Sequence, residues 1–384
     1  MGKPNTDNVS RNKTREYYYK SCKILYALGA PNFWHGDLGI PEYVATIHDV
    51  VVWIVDLAIY VHFASMLGAY FTQHNLSEKQ KSDMQILCLC QPPWYFNSVV
   101  LNYYKKDVRL LCYNLAIKLK KKYNDPEVEN EMVQSVKFYG GIFICFAFST
   151  LILYGLNGLM EVIYRVNILY SKNFVTIIPV WPDVNETRKA GSIIGVYHYV
   201  IFWIFLIRTA ASAFLEVLIL TICLSHQYKN LCSYFRSLNT IFEDKELTQN
   251  DKEEKYEEAV KIGIDYHNIT LRCKKRIEKI FYIVFSVQIF LNLYTITLLL
   301  SQLVNSERSL TNLLTTFVTI VCVLISTGCF WCSAGDVTVE ASQLSMAMFE
   351  SGWQHCHGRA ARRARTLLGV AMWHSQVTII MVLF

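Results

Sequence analysis

Long apolar runs alternate with polar, basic segments along most of this chain. Each run has about 20 residues or more, and at about 1.5 Å per residue such a helix matches the roughly 30 Å hydrocarbon core of a bilayer. The pattern therefore predicts a bundle of membrane-crossing helices. Six spans are predicted, at residues 50–71, 84–104, 138–160, 196–222, 280–304 and 310–335. A seventh run, 366–384, reaches the last residue.

The basic residues are concentrated in every second segment between these runs. Residues 223–279 carry 11 Lys and Arg, whereas residues 72–83 carry two and residues 305–309 carry one. Because basic segments resist translocation, they mark the cytoplasmic side. The amino terminus is therefore predicted to be cytoplasmic. With seven spans this orientation is inverted relative to a G-protein-coupled receptor.

The fold class predicted is an all-α polytopic membrane protein, a seven-span helical bundle whose last span is incomplete. The spans adjoining 223–279 are expected to continue as helices below the membrane. A further helix is predicted after the sixth span, with an apolar stripe at Val337, Ala341, Leu344 and Met348 that packs on partners outside the bilayer. The predicted units are a cytoplasmic segment 1–48, spans one to four in 49–222 with a ligand-binding outer half, a cytoplasmic extension 223–279, spans five and six in 280–335, a packing helix 336–365 and a partial span in 366–384.

Composition supports a multi-pass membrane protein over a soluble one. Apolar residues make up 53% of the chain and the mean hydropathy is +0.23, which is high for a soluble protein of 384 residues. The net charge of +6 lies mainly in the predicted cytoplasmic segments. We therefore expect it to contact anionic lipid headgroups of the bilayer, with no nucleic-acid partner.

Motifs of catalysis and of metal binding are missing from the sequence. It has no GxSxG, HExxH or P-loop pattern, and no periodic carboxylates of a transporter's proton relay. His355-Cys356-His357 is a weak metal signal, since adjacent residues point in different directions on a helix. We expect no enzyme activity, no cofactor and no metal site, which leaves a binding function.

Two kinds of residue within the predicted spans are candidates for that function. The outer halves of spans three and four carry aromatic and hydroxyl side chains suited to a small, mostly apolar ligand. Aromatic residues at helical spacing also commonly pack against neighbouring helices. An intramembrane charge must face the bundle interior, a partner or water, so Arg208 is expected either to join helices through hydrogen bonds or to take part in gating or ligand contact. The candidate ligand contacts are Thr150, Tyr154, Tyr199, Phe202 and Phe205.

The carboxyl-terminal third resembles the closing block of insect odorant receptors. In that family a glycine and small polar residues end span six, a cytoplasmic helix carries a tryptophan and an arginine pair, and Ser-Gln precedes the last helix. The exit from span four near Tyr228 and the approach to span five near His267 look similar too. The matching residues are Gly335-Asp-Val-Thr-Val-Glu340, Ala347, Trp353, Arg362-Arg363, Leu367-Leu368 and Ser375-Gln376.

The resemblance implies a ligand-specific odorant receptor, the odorant-binding subunit of a heteromeric ligand-gated cation channel in olfactory sensory neurons. It implies a volatile, small apolar ligand, a shared co-receptor in a hetero-tetramer and a multi-pass location in the plasma membrane. Trp353, within the packing helix, would then be structural or take part in gating. The alternatives are a gustatory receptor of the same superfamily and, less favoured, a G-protein-coupled receptor.

One feature departs from the family pattern. The family has a proline and roughly thirty further residues after Ser-Gln, whereas here Val377–Phe384 follow Ser375-Gln376. We therefore expect an incomplete pore-lining span and a carboxyl-terminal truncation.

Overall fold

A computed structural model of the chain describes residues 12–73, 78–167, 180–182, 190–209, 215–305 and 310–377. The described part is helical, without strands. Its helices are α1 (Lys13–Ala27), α2 (Glu42–Thr72), α3 (Glu78–Tyr103), α4 (Lys105–Tyr113), α5 (Pro126–Asn167), α6 (Ala190–Thr209), α7 (Glu216–Ser237), α8 (Gln249–Asn305), α9 (Leu310–Phe349) and α10 (Arg359–Val377). A π-helical turn, Asn114–Lys118, follows α4, and 3-10 turns follow α7 (Leu238–Phe242) and precede α10 (Trp353–His355).

Among the described residues, apolar helices of membrane-spanning length are present at four of the six predicted spans. Within the described residues, α2, α5, α8 and α9 each contain a stretch long and apolar enough to cross a bilayer, and Val196–Arg208 of α6 is a shorter apolar helix. On α2, large apolar side chains such as Val50, Trp53 and Leu57 are exposed. An exposed apolar helix face of this length is typical of contact with lipid.

The helix α7 lies at the centre of the largest core. Sixteen of its 22 residues are buried, so its surface is enclosed on nearly all sides. It packs most extensively against α9 and also contacts α5 and α8. The amino-terminal helix α1 joins the same core through buried Tyr18, Cys22 and Leu25. This core contains the segments predicted to be cytoplasmic.

Two predictions about helix continuity need correction. The sequence predicts a kink or break at Gln91-Pro92-Pro93, because proline removes a backbone donor, but α3 is helical across these residues and does not break there. The helix α9 likewise continues through Gly335 to Phe349, so the stripe from Val337 to Met348 extends span six rather than forming a separate helix. Gly335 has open space where a side chain would be. A helix tolerates glycine and proline when packing on its neighbours outweighs their intrinsic cost.

The predicted apolar stripe itself is confirmed. Val337, Leu344 and Met348 have no exposed surface, and Ala341 is 5% exposed. These residues pack in the core with α7 and α10. The helical extensions predicted below spans four and five are also present, as the carboxyl-terminal part of α7 and the amino-terminal half of α8.

A close approach of α7 and α8 makes Gly263 sensitive to substitution. A β-carbon there would lie 2.7 Å from Phe235 Cζ and 2.9 Å from Tyr234 Cε1, and Phe235 is fully buried. We expect Gly263→Ala to lower stability by about 1 kcal/mol, because overpacking of about 1–3 kcal/mol outweighs a helix-propensity gain of about 1 kcal/mol. Gly335→Ala, in open space, should raise it. Thermal unfolding of the purified protein compares the two, and equal shifts would contradict this packing argument.

Candidate functional site

The helices α2, α3 and α6 enclose a buried interface with three layers, which we call inner, middle and outer in order from the end of α6 towards its start. In the inner layer, at the middle of α2 and the end of α6, both guanidinium Nη atoms of Arg208 bond to the carboxylate of Asp56. The Nη2–Oδ2 distance is 3.2 Å. From α3, the Tyr95 hydroxyl donates to Asp56 Oδ1 at 2.8 Å. One carboxylate therefore connects all three helices, and we call these residues the inner triad.

Aromatic rings fill the middle layer. The ring of Phe205 has no exposed surface and meets Phe63 edge-on at 5.4 Å between ring centroids. Phe63 also meets Tyr95 edge-on at 5.9 Å. One turn further out, Phe202 packs against Met66. Such edge-to-face contacts build an apolar, shape-specific interior.

The outer layer is polar and contains two histidines. His62 Nδ1 and His198 Nδ1 lie 2.8 Å apart, so one nitrogen carries the proton and the other accepts it. Ser65 Oγ lies 3.2 Å from His198 Nε2 and donates to the carbonyl oxygen of Trp181 at 2.6 Å. The backbone N–H of Trp181 donates to the Ser65 carbonyl at 3.1 Å. These bonds attach the described residues 180–182 to the outer end of α2.

A cavity of about 480 Å³ adjoins the inner triad. We call this cavity the inner cleft. Its walls come from the loop after α1, the first turns of α2 and the junction of α3 and α4. The inner triad, Asp56, Tyr95 and Arg208, also lines the cavity. Polar residues are prominent among those lining it, including Asn32, Asp49, Asn102, Lys105 and Arg109.

Comparison with known proteins identifies the family. The model of the 7tm odorant receptor family matches residues 96–384. The chain belongs to the odorant receptor family. This receptor is therefore a membrane protein, and the family predicted from its carboxyl-terminal residues is confirmed. No curated protein matches it at a significant level.

Solved structures of an insect olfactory receptor share the fold of this odorant receptor. The structure of OR5 from Machilis hrabei aligns with a TM-score of 0.74 and 13% identity, covering 94% of this chain and 89% of that one. The structure of the same receptor in complex with eugenol aligns with a TM-score of 0.70 and 15% identity, covering 96% and 91%. At this identity the likeness shows the fold.

The predicted ligand contacts of this odorant receptor fall in different environments. Phe202 and Phe205 lie in the middle layer, where they are 5% and 0% exposed. Tyr199 is 40% exposed and packs edge-on against Trp203 at 6.1 Å, away from the buried rings. Thr150 and Tyr154 belong to α5, but their side chains lie outside the described part of the structure.

The two residues predicted to be structural or to act in gating both have defined partners. Arg208 forms the inner triad and so joins α6 to α2. Trp353 lies in the turn before α10, where its ring is 5.7 Å from Phe349 and the Arg365 guanidinium carbon lies 5.5 Å from its centroid. Within the described residues no group of three or more His, Cys, Asp or Glu could hold a metal ion.

The sequence did not point to His198, Tyr95 or the inner cleft. Histidine and tyrosine in an apolar helix give no pattern of their own. Lys105 and Arg109 fall in a basic segment between two predicted spans, and such a segment indicates topology rather than a binding site. Their spacing of four residues, which places both on one face of α4, was the available signal.

Proposed function

We propose that this chain is the odorant-binding subunit of a heteromeric, ligand-gated cation channel in the plasma membrane of olfactory sensory neurons. It would cross the membrane seven times with its amino terminus in the cytoplasm and assemble with the odorant receptor co-receptor as a hetero-tetramer. The family assignment and the shared fold support this proposal. The observation that carries it is the aromatic interior between α2, α3 and α6, which suits a small apolar ligand. The eugenol complex of the Machilis receptor supports a volatile of that class.

The ligand would contact Phe202 and Phe205 of α6 and reach Thr150, Tyr154 and Tyr199 at the edges of the site. Binding must favour the open form over the closed one to gate the channel, since equal affinity for both would shift no population. Apolar linings that differ by one methylene discriminate ligands by only about 1–3 kcal/mol. Small changes in these rings should therefore alter the ligand profile.

Co-expression with the co-receptor tests the channel. We expect inward cation currents evoked by volatiles of the eugenol class, undiminished by intracellular GDPβS, and no such current from the co-receptor alone. Currents abolished by GDPβS would support a G-protein-coupled receptor instead. An epitope tag before Met1 should be accessible to antibody only after permeabilisation.

Replacing a ring of the middle layer should change the concentration dependence of that current. We expect Phe202→Leu to shift the half-maximal odorant concentration by about tenfold, corresponding to about 1.4 kcal/mol, because it removes ring contacts but keeps an apolar side chain. Val200→Ala, on an exposed face of the same helix, is the matched control and should leave it unchanged. Equal responses of both variants, at equal surface expression, would place the odorant elsewhere.

A further inference from the structure

The inner cleft carries two cationic side chains without an acidic partner. Lys105 and Arg109 lie one helical turn apart on α4 and line the cavity together. Arg109 Nε donates to the carbonyl oxygen of Asn32 at 2.6 Å, which orients the guanidinium without neutralising it. Neither residue forms an ion pair within the described part of the chain. Asp107, between them in sequence, pairs instead with Arg276 at 3.0 Å.

Another part of the cleft lining, contributed by α1 and α2, suits a cation. Asp49, at the start of α2, has a side chain that is 75% exposed and accepts the Tyr26 hydroxyl at 3.4 Å. The rings of Tyr26 and His48 stack beside it with centroids 4.0 Å apart. A carboxylate next to aromatic rings is an arrangement that binds ammonium groups. The cleft lining therefore has two cations that could bind a phosphate and a carboxylate with adjacent rings that could bind an ammonium group.

The rim of the cleft is apolar and reaches the outer surface of the bundle. Trp53 of α2 and Val99 of α3 line the cavity and are 65% and 41% exposed. Both lie within predicted membrane spans, where exposed apolar side chains face acyl chains. Asp49 precedes the first span and Lys105 follows the second, so under the proposed topology the cleft lies at the cytoplasmic headgroup level.

We propose that the inner cleft binds one zwitterionic phospholipid of the inner leaflet. Its phosphate would lie on Lys105 and Arg109, its ammonium group on Asp49 and the adjacent rings, and its acyl chains along Trp53 and Val99. Charge-assisted bonds to a phosphate favour the first contact. The acidic and basic residues that line the cavity are equal in number, three of each, which favours a neutral headgroup over an anionic one. This proposal rests on the membrane topology proposed above.

Lipid binding to the purified chain in detergent tests the site without odorant or co-receptor. Native mass spectrometry would measure binding of dihexanoyl phosphatidylethanolamine, phosphatidylcholine and phosphatidylglycerol, with inorganic phosphate as competitor. We expect one zwitterionic lipid per chain and at least tenfold weaker binding for Lys105→Gln combined with Arg109→Gln. Lys106→Gln, an exposed neighbour outside the cavity, is the matched control.

The ammonium contact has its own variant. Asp49→Asn should lower the preference for phosphatidylethanolamine over phosphatidylglycerol about fivefold and leave the binding of phosphatidylglycerol unchanged. An equal affinity of the wild-type chain for both lipids would overturn the zwitterionic assignment. Displacement by inorganic phosphate would indicate a free-anion site.

Equal losses for the Lys106→Gln variant and the double variant would overturn the site itself. The single variants Lys105→Gln and Arg109→Gln replace the double one should the latter fail size-exclusion chromatography. Absence of odorant current with intact lipid binding would count against the proposed function alone.

Discussion

Replacing Arg208 by alanine should lower the amount of folded receptor at the cell surface more than replacing Arg208 and Asp56 together does. The side chains of Arg208 and Asp56 are only 13% and 26% exposed, and they meet between α2 and α6 within the predicted membrane-spanning region. Removing one partner leaves an uncompensated charge there, at a cost of about 3–5 kcal/mol, whereas removing both leaves neutral groups. We therefore expect Arg208→Ala to lose most surface protein, and Arg208→Met combined with Asp56→Asn to recover much of it.

The exchanged pair, Asp56→Arg combined with Arg208→Asp, tests attraction separately from size. It should stabilise the receptor relative to either single exchange, because opposite charges again face each other across the helices. Lys20→Ala is the control, since Lys20 and Glu16 form an exposed ion pair at 2.8 Å of the kind that contributes at most about 1 kcal/mol. Surface biotinylation measures the amount of each variant at the cell surface, and thermal unfolding in detergent measures its stability. Additive losses in the double variant would show that the two residues do not stabilise each other.

The inner triad also shows what the sequence could not predict. The cost of a charge in the bilayer already indicated that Arg208 needs a partner. Its partner is 152 positions away, and the choice of Asp56 depends on how α2 and α6 pack against each other. The spacing of residues along one helix does not indicate which residue of another helix will face it. Glu216, the acidic residue nearest to Arg208 along the chain, lies 3.7 Å from the Cys112 thiol instead.

The helices themselves could largely be predicted, because helix formation here follows from the length and spacing of apolar residues within each segment. Apolar length fixes the membrane-spanning part of α8 and α9, and the stripe from Val337 to Met348 fixes which face of α9 is buried. Helix ends were less predictable. Gly335 and Pro92 are helix breakers by intrinsic propensity, but packing of α9 and α3 against neighbouring helices overrides that propensity.

The turn between α9 and α10 should depend on a single carboxylate from α8. Glu253 is 4% exposed, and its Oε1 accepts the backbone N–H of His357 at 2.7 Å while its Oε2 accepts that of Gly358 at 2.9 Å. Gln249 Nε2 adds a bond to Oε1 at 3.0 Å. Since hydrogen bonds to a charged group contribute about 1.5–3 kcal/mol, we expect Glu253→Ala to lower the free energy of unfolding by about 3 kcal/mol. Glu254→Ala, the exposed neighbour, should change it by less than about 0.5 kcal/mol.

The same carboxylate predicts a pH dependence with a definite sign. Burial alone would raise the pKa of Glu253, but the N–H donors of His357 and Gly358 and the Gln249 amide outweigh it and lower the pKa below its ordinary value. A lowered pKa in the folded state gives stability that is present above the ordinary carboxyl pKa and is lost as the pH falls through the lowered one. The difference in unfolding free energy between wild type and Glu253→Ala should therefore be constant from about pH 6 to 8 and shrink in acid. Thermal unfolding of both proteins, measured from acidic pH up to about pH 8, would show this. A difference that grew on acidification would mean that the folded state favours the protonated carboxyl group, and an ionised Glu253 would then not be the acceptor of these bonds.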